Sequence, residues 1–184
     1  MRGRIIGVAA LLWAGASQAE RVSEPYAKVG YWEITTENHR ECMMKRVYPG
    51  KTADDEEGLV IVYDPQTKAA VLGWAPRKPK FPALTESLDL QLAFLNGSKR
   101  NESWESQPFR IAKSGDTYSF IHLFKEPGEG DRFLRDLASH DTFALFLGPG
   151  LMTGLPLNAS DAVAKLRECA SKIMEHRELP SAGE

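Results

Sequence analysis

The chain has 184 residues, of which 42% are hydrophobic, a length and composition suited to one domain with a sizeable core. Its 23 basic and 25 acidic residues leave a net charge of −2, which gives no electrostatic basis for binding nucleic acid or anionic lipid. Beyond the N-terminus no segment approaches the roughly 18 apolar residues of a membrane-spanning helix, so no integral membrane segment is expected once the leader is removed.

The first nineteen residues have the three-part pattern of a secretory signal. Arg2 and Arg4 open it, residues 5–16 are apolar or small, and Ser17-Gln18-Ala19 ends it with small residues where a signal peptidase reads them. The apolar run is too short to cross a bilayer. A buried N-terminal helix is the alternative, but it leaves the charged start and the small-residue exit unexplained. The expected organisation is a signal peptide over 1–19 and a single β-rich domain over 20–184. Residues 20–28 form a loose lead-in and 179–184 a disordered tail. Removing Arg2 and Arg4 leaves 21 basic residues against 25 acidic, a mature net charge of −4.

From there the text is a series of short strand-like runs broken by turn residues. Residues 29–35 are rich in aromatic and β-branched side chains. The polar stretch 37–41 reads as a turn, and 42–48 as the next strand, ended by Pro49-Gly50. Residues 51–57 read as a charged loop. Leu59, Val60, Ile61, Val62 and Tyr63 predict a strand, Asp64-Pro65-Gln66-Thr67 a turn, and 69–74 the hairpin partner. Pro76, Pro79 and Pro82 cannot sit inside a sheet and imply an extended surface segment. Its basic residues Arg77, Lys78 and Lys80 make it the best local candidate for an acidic partner surface.

Leu88, Leu90, Leu92 and Phe94 alternate with polar or small residues, the period of a half-buried strand. Residues 96–103 read as a polar turn. Residues 104–111 read as a weaker strand, placed near an edge by Pro108. In the next strand Tyr118, Phe120, His122 and Phe124 share one face. Asp131 can cap a short helix reaching about His140, with Phe133, Leu134, Leu137 and Ala138 as its apolar stripe. A strand follows over 142–147. A last helix starts near Ser160 or Asp161, and Ala162, Val163, Leu166, Cys169, Ala170 and Ile173 repeat along it at three- and four-residue steps. Eight strands at this spacing predict a mainly β chain, an antiparallel sandwich or barrel-like domain with a short helix and a C-terminal helix packed on it.

Cys42 and Cys169 are the two cysteines, 127 positions apart. An exported chain meets an oxidising compartment, so the pair is expected to form a disulfide between the second strand and the buried stripe of the last helix. Two separate buried thiols are the alternative. A catalytic thiol is disfavoured, because there is no CxxC.

No catalytic residue, cofactor-binding residue or metal ligand is assigned. His39, His122, His140 and His176 are scattered without HxH, HxxxH or HExxH spacing. His122 reads as a satisfied sheet histidine. No GxSxG, phosphate loop or GxGxxG occurs. The acidic run Asp54-Asp55-Glu56-Glu57 lacks the spaced ligands and Gly of a calcium loop and reads as a solvated loop. Trp32, Trp74 and Trp104 fall in strand runs and read as core. Asn96, Asn101 and Asn158 head glycosylation acceptor triplets, which turns and caps also produce by chance.

The order Tyr31-Trp32-Glu33-Ile34, Cys42-Met43-Met44, strand pairs, then 151–157 and a helix reaching Cys169 resembles the small exported proteobacterial proteins related to the invasion-associated locus B family. The resemblance implies a β-sandwich-like fold, a Gram-negative periplasmic or surface location, no known enzymatic activity and no transferable site residues. The expectation is therefore a non-enzymatic periplasmic or secreted protein, with no cofactor, that binds an unidentified protein partner or is associated with the envelope. Two alternatives stand beside it. A small-ligand carrier needs a cavity of about 300 Å3 or more. An unrecognised hydrolase needs a pocket holding His122 beside a carboxylate or hydroxyl.

Overall fold

A computed structural model describes residues 22–50, 56–76, 86–97, 99–101, 104–114 and 117–178. The leader over 1–19, Asp54 and Asp55, most of the proline-rich segment and the tail over 179–184 lie outside them. The strands are β1 (Ser23–Val29), β2 (Trp32–Glu37), β3 (Glu41–Tyr48), β4 (Glu57–Asp64), β5 (Ala69–Ala75), β6 (Ser87–Asn96), β7 (Lys99–Asn101), β8 (Ser106–Ser114), β9 (Thr117–Phe124), β10 (Thr142–Leu147) and β11 (Gly150–Pro156). Two helices interrupt and end the series, α1 (Glu129–Ser139) and α2 (Ser160–Glu178).

All eleven strands join one antiparallel sheet in the order β1-β2-β3-β4-β5-β9-β8-β6-β10-β11, with the short β7 also on β6. β1 and β11 are its two ends and do not pair with each other. The open sheet nevertheless curls, since side chains from β2 and β3 bond to the chain at the end of β11. Trp32 Nε1 donates to the Leu157 carbonyl at 3.0 Å, and Tyr48 donates to that of Pro156 at 3.0 Å. This is the barrel-like architecture the alternation predicts, with the last gap bridged by side chains instead of a ladder.

The inner face follows from register. Ile34, Met44, Ile61, Leu72 and His122 stand opposite one another across β2, β3, β4, β5 and β9. The first four are at most 1% exposed, and His122 is the one polar member of the row. Against this face pack Phe133, Leu134 and Leu137 of α1 and all six residues of the α2 stripe, each buried. Trp32 and Trp74 belong to the core as expected. Phe124 stacks on Phe133 with ring centres 4.3 Å apart, which ties β9 to α1.

Several local readings change. The lead-in is a true edge strand, β1, whose Pro25 and bulge blunt the edge. Residues 150–156, which follow the Gly148 turn and carry no secondary-structure assignment from the sequence, form the end strand β11. Within the expected polar turn, residues 99–101 pair with β6 as β7. Trp104 lies outside any strand; its indole donates to Asp136 of α1 at 2.6 Å and its ring meets Phe124 edge-on. Helix α1 begins at Glu129 behind Gly128, which holds φ 84°, so Asp131 sits inside the first turn and does not cap it. Its carboxylate instead accepts from Tyr63 at 3.1 Å and faces Arg167 at 3.5 Å.

Pro108 is not on an edge strand, since β8 lies between β6 and β9. The β8–β9 ladder stops at the Arg110–Ile121 pair, before Pro108 is reached, while Pro108 itself stands opposite Asp89 of β6. The missing N–H therefore falls where that seam has already opened.

Candidate functional site

The Cys42 and Cys169 sulfurs are bonded at 2.00 Å, with the Cα atoms 6.1 Å apart. The strand supplies one sulfur and the buried stripe of α2 the other, as their spacing predicts. Cys42 is fully buried and Cys169 is 1% exposed, so the bridge belongs to the core.

Beside it the structure opens a cleft of about 400 Å3 between the β1–β2 hairpin and α2. Tyr26 of β1 and Thr36 of β2 form one wall, Cys169, Lys172 and Ile173 the other, and Glu24 and His39 the lip. The lip is built by an unusual turn. Asn38 and His39 both hold left-handed backbone, at φ 51° and 55°, and the Arg40 amide bonds back to the Glu37 carbonyl at 3.0 Å. That is the geometry of a tight hairpin turn whose second central position favours glycine. Asn38 locks the turn to the chain ahead of β1 by accepting from the Val22 amide and donating to its carbonyl. His39 Nδ1 then faces Glu24 at 3.7 Å.

On the opposite side, Tyr26 donates to Glu168 at 2.9 Å, and Lys165 and Lys172 approach the same carboxylate at 2.5 and 3.3 Å. Hydrogen bonds from Lys165, Tyr26 and Lys172 hold the Glu168 carboxyl down to about 2, while Tyr26 and then Glu168 raise the Lys172 ammonium. The Lys172 Nζ also lies 5.2 Å from the centre of the Tyr26 ring.

A buried polar cluster lies where β3, β4 and β5 meet the end of β11. Arg46, 8% exposed, donates through Nη1 to the carbonyls of Pro156 at 2.8 Å and Leu157 at 2.6 Å. The rings of Tyr48, Tyr31 and Trp32 surround its guanidinium at 4.5, 5.1 and 5.9 Å. Glu57, read from the sequence as part of a solvated loop, is 7% exposed. It accepts from Trp74 at 2.5 Å and from Thr153 of β11 at 2.6 Å. Burial, with Glu57 nearby and against the pull of Arg46, pushes the Tyr48 hydroxyl up to about 12.

His122 lies between Phe109 and Phe124, and its Nδ1 donates to the Pro108 carbonyl at 3.0 Å. Its Nε2 is buried without a partner, so the expectation of a satisfied histidine holds for one nitrogen only. Burial holds its pKa below the usual histidine value. The residues around it are aromatic, and the two clefts described here do not include it.

A second cleft of about 400 Å3 lies where α1 ends and α2 begins. It contains Ser139 and His140, with 3.1 Å between hydroxyl and Nδ1. That nitrogen is already committed to the Asp136 carbonyl at 2.8 Å, which it must reach as a donor, so it has no lone pair to take the serine proton. The pair caps a helix end. His39 sits in a turn and the backbone of His176 in the last turn of α2. Among the described residues no three His, Cys, Asp or Glu side chains gather to hold a metal, and no helix is long and apolar enough to cross a membrane.

Comparison with protein-family models, curated proteins and solved structures finds no match to this chain.

Neither Arg46 nor Glu57 is conspicuous in the sequence. The only available signal was parity: Arg46 shares the inward face of β3 with Cys42 and Met44, and Glu57 that of β4 with Leu59 and Ile61. The cleft was illegible because one wall comes from β1.

Proposed function

We propose that the chain is an exported, non-enzymatic protein that works by binding a partner outside the cytosol, in the manner of the invasion-associated locus B-like proteins it resembles. The observation that carries this reading is the Cys42–Cys169 bridge, which joins residues far apart in the chain and is of the kind found chiefly in oxidising compartments. The leader pattern of Arg2, Arg4 and the small-residue exit at Ala19 points the same way.

Expression of the complete chain in a Gram-negative host tests the reading. Intact-mass analysis of the osmotic-shock fraction is expected to find a chain starting at Glu20 with no free thiol. In-cell crosslinking is expected to trap it with one envelope protein. A full-length, reduced chain confined to the cytosol overturns export, and an exported chain with no reproducible crosslink overturns the partner.

A further inference from the structure

The cleft beside the disulfide is more than a gap between packed elements. Its walls are apolar where Tyr26, Cys169 and Ile173 face one another, and its volume of about 400 Å3 falls in the range that holds small ligands. The charges at its mouth are already matched within the protein. Lys172 lies 3.3 Å from Glu168, and His39 3.7 Å from Glu24. A charged ligand would have to compete with these existing pairs, whereas an uncharged one need only share their hydrogen-bonding capacity.

The lip holds a side chain where the backbone favours glycine. His39 occupies a left-handed position, φ 55°, that glycine adopts without cost, and its imidazole is turned to Glu24 at the mouth. Carboxylate and imidazole together offer one acceptor and one donor side by side.

We propose that this cleft binds a small, uncharged amphipathic molecule. Its aromatic or short alkyl body seats against Tyr26, Cys169 and Ile173. Its head, an amide, amine or hydroxyl, bonds at the Glu24–His39 lip. The site is independent of where the protein resides, so it stands or falls separately from the export reading.

The test is a 15N NMR titration of the disulfide-intact chain with N-phenyl-1-naphthylamine, an uncharged aromatic amine. Saturable shifts are expected at the amides of Tyr26, Thr36, His39, Lys172 and Ile173. Thr36→Arg, which drives a long side chain into the space, should weaken binding at least tenfold. His39→Gly, which removes the lip and relaxes the turn, should weaken it at least threefold with no fall in thermal midpoint. The anionic 8-anilinonaphthalene-1-sulfonate should bind at least tenfold more weakly. The proposal is overturned by shifts centred elsewhere, by no saturable shift up to the probe's solubility, or by affinity unchanged in both variants. Equal or tighter binding of the anion overturns the uncharged ligand class.

Discussion

Arg46 carries a permanent charge into a site where only 8% of its surface meets water. Such a residue is tolerated when its charge is hydrogen-bonded and aromatic faces surround it; on the seam between β3 and the end of β11, Nη1 serves two carbonyls and three rings flank the guanidinium, while Nε is buried without a partner. Arg46→Met removes the guanidinium donors but leaves Trp32 and Tyr48 on the same two carbonyls. We expect a loss of about 1.5–3 kcal/mol, read from the urea midpoint at constant m. His122 gives a pH prediction. Its folded pKa lies below the unfolded value of 6.5, so the unfolded chain takes up the proton first as pH falls. Its contribution is complete above pH 6.5 and is lost as pH drops through the folded value. His122→Asn keeps an amide donor near the Pro108 carbonyl and has no such titration. Its unfolding free energy should decline less steeply between pH 7 and 5 than that of the parent, and parallel declines would refute the assignment.

At the scale of elements, α1 is placed by an absence of side chain. A Cβ on Gly130 would collide with the Lys68 carbonyl and come within 2.9 Å of the Ala70 amide, both backbone atoms of the β4–β5 hairpin. The helix start therefore rests directly on that hairpin, and Phe133 and Trp104 are aligned over Phe124 as a result. Gly130→Ala would improve helix propensity, yet we expect a net destabilisation of about 1–3 kcal/mol, because backbone cannot yield as a side-chain tip can. Calorimetry on the variant checks the sign. The strands and helices that were legible share a property: one face is buried along the whole element, so periodicity reports it. The α2 stripe was readable down to each residue for that reason. β1 and β11 are sheet ends with mixed burial; Pro25 interrupts β1, and β11 carries Gly150 and Gly154 with Pro156 at its end, so neither has the composition of a strand.

Over the whole molecule, the disulfide joins the first half of the sheet to the last helix across 127 positions. In the chain-entropy model closure of so long a loop stabilises by about 4–5 kcal/mol, of which about 2–5 kcal/mol is lost when a native bridge is removed. Cys42→Ser with Cys169→Ser should lower the urea midpoint accordingly. Hydrogen exchange should rise first in α2 and in β1, which share the cleft, while β4 and β5 stay protected at the centre of the sheet. Uniform loss of protection would contradict this order.

The amino-acid sequence by itself determined the β-rich class, both helices with their buried faces, and the cysteine pairing, because periodicity and a count of two leave little choice. Only the tertiary structure decided that the sheet rolls until β11 meets β2 and β3, that Glu57 and Arg46 turn inward, and that a cleft opens beside the bridge. Each of these depends on which distant segments become neighbours. Local propensity carries no information about that, since a charged residue at a strand end looks the same in the chain whether water or an indole N–H awaits it.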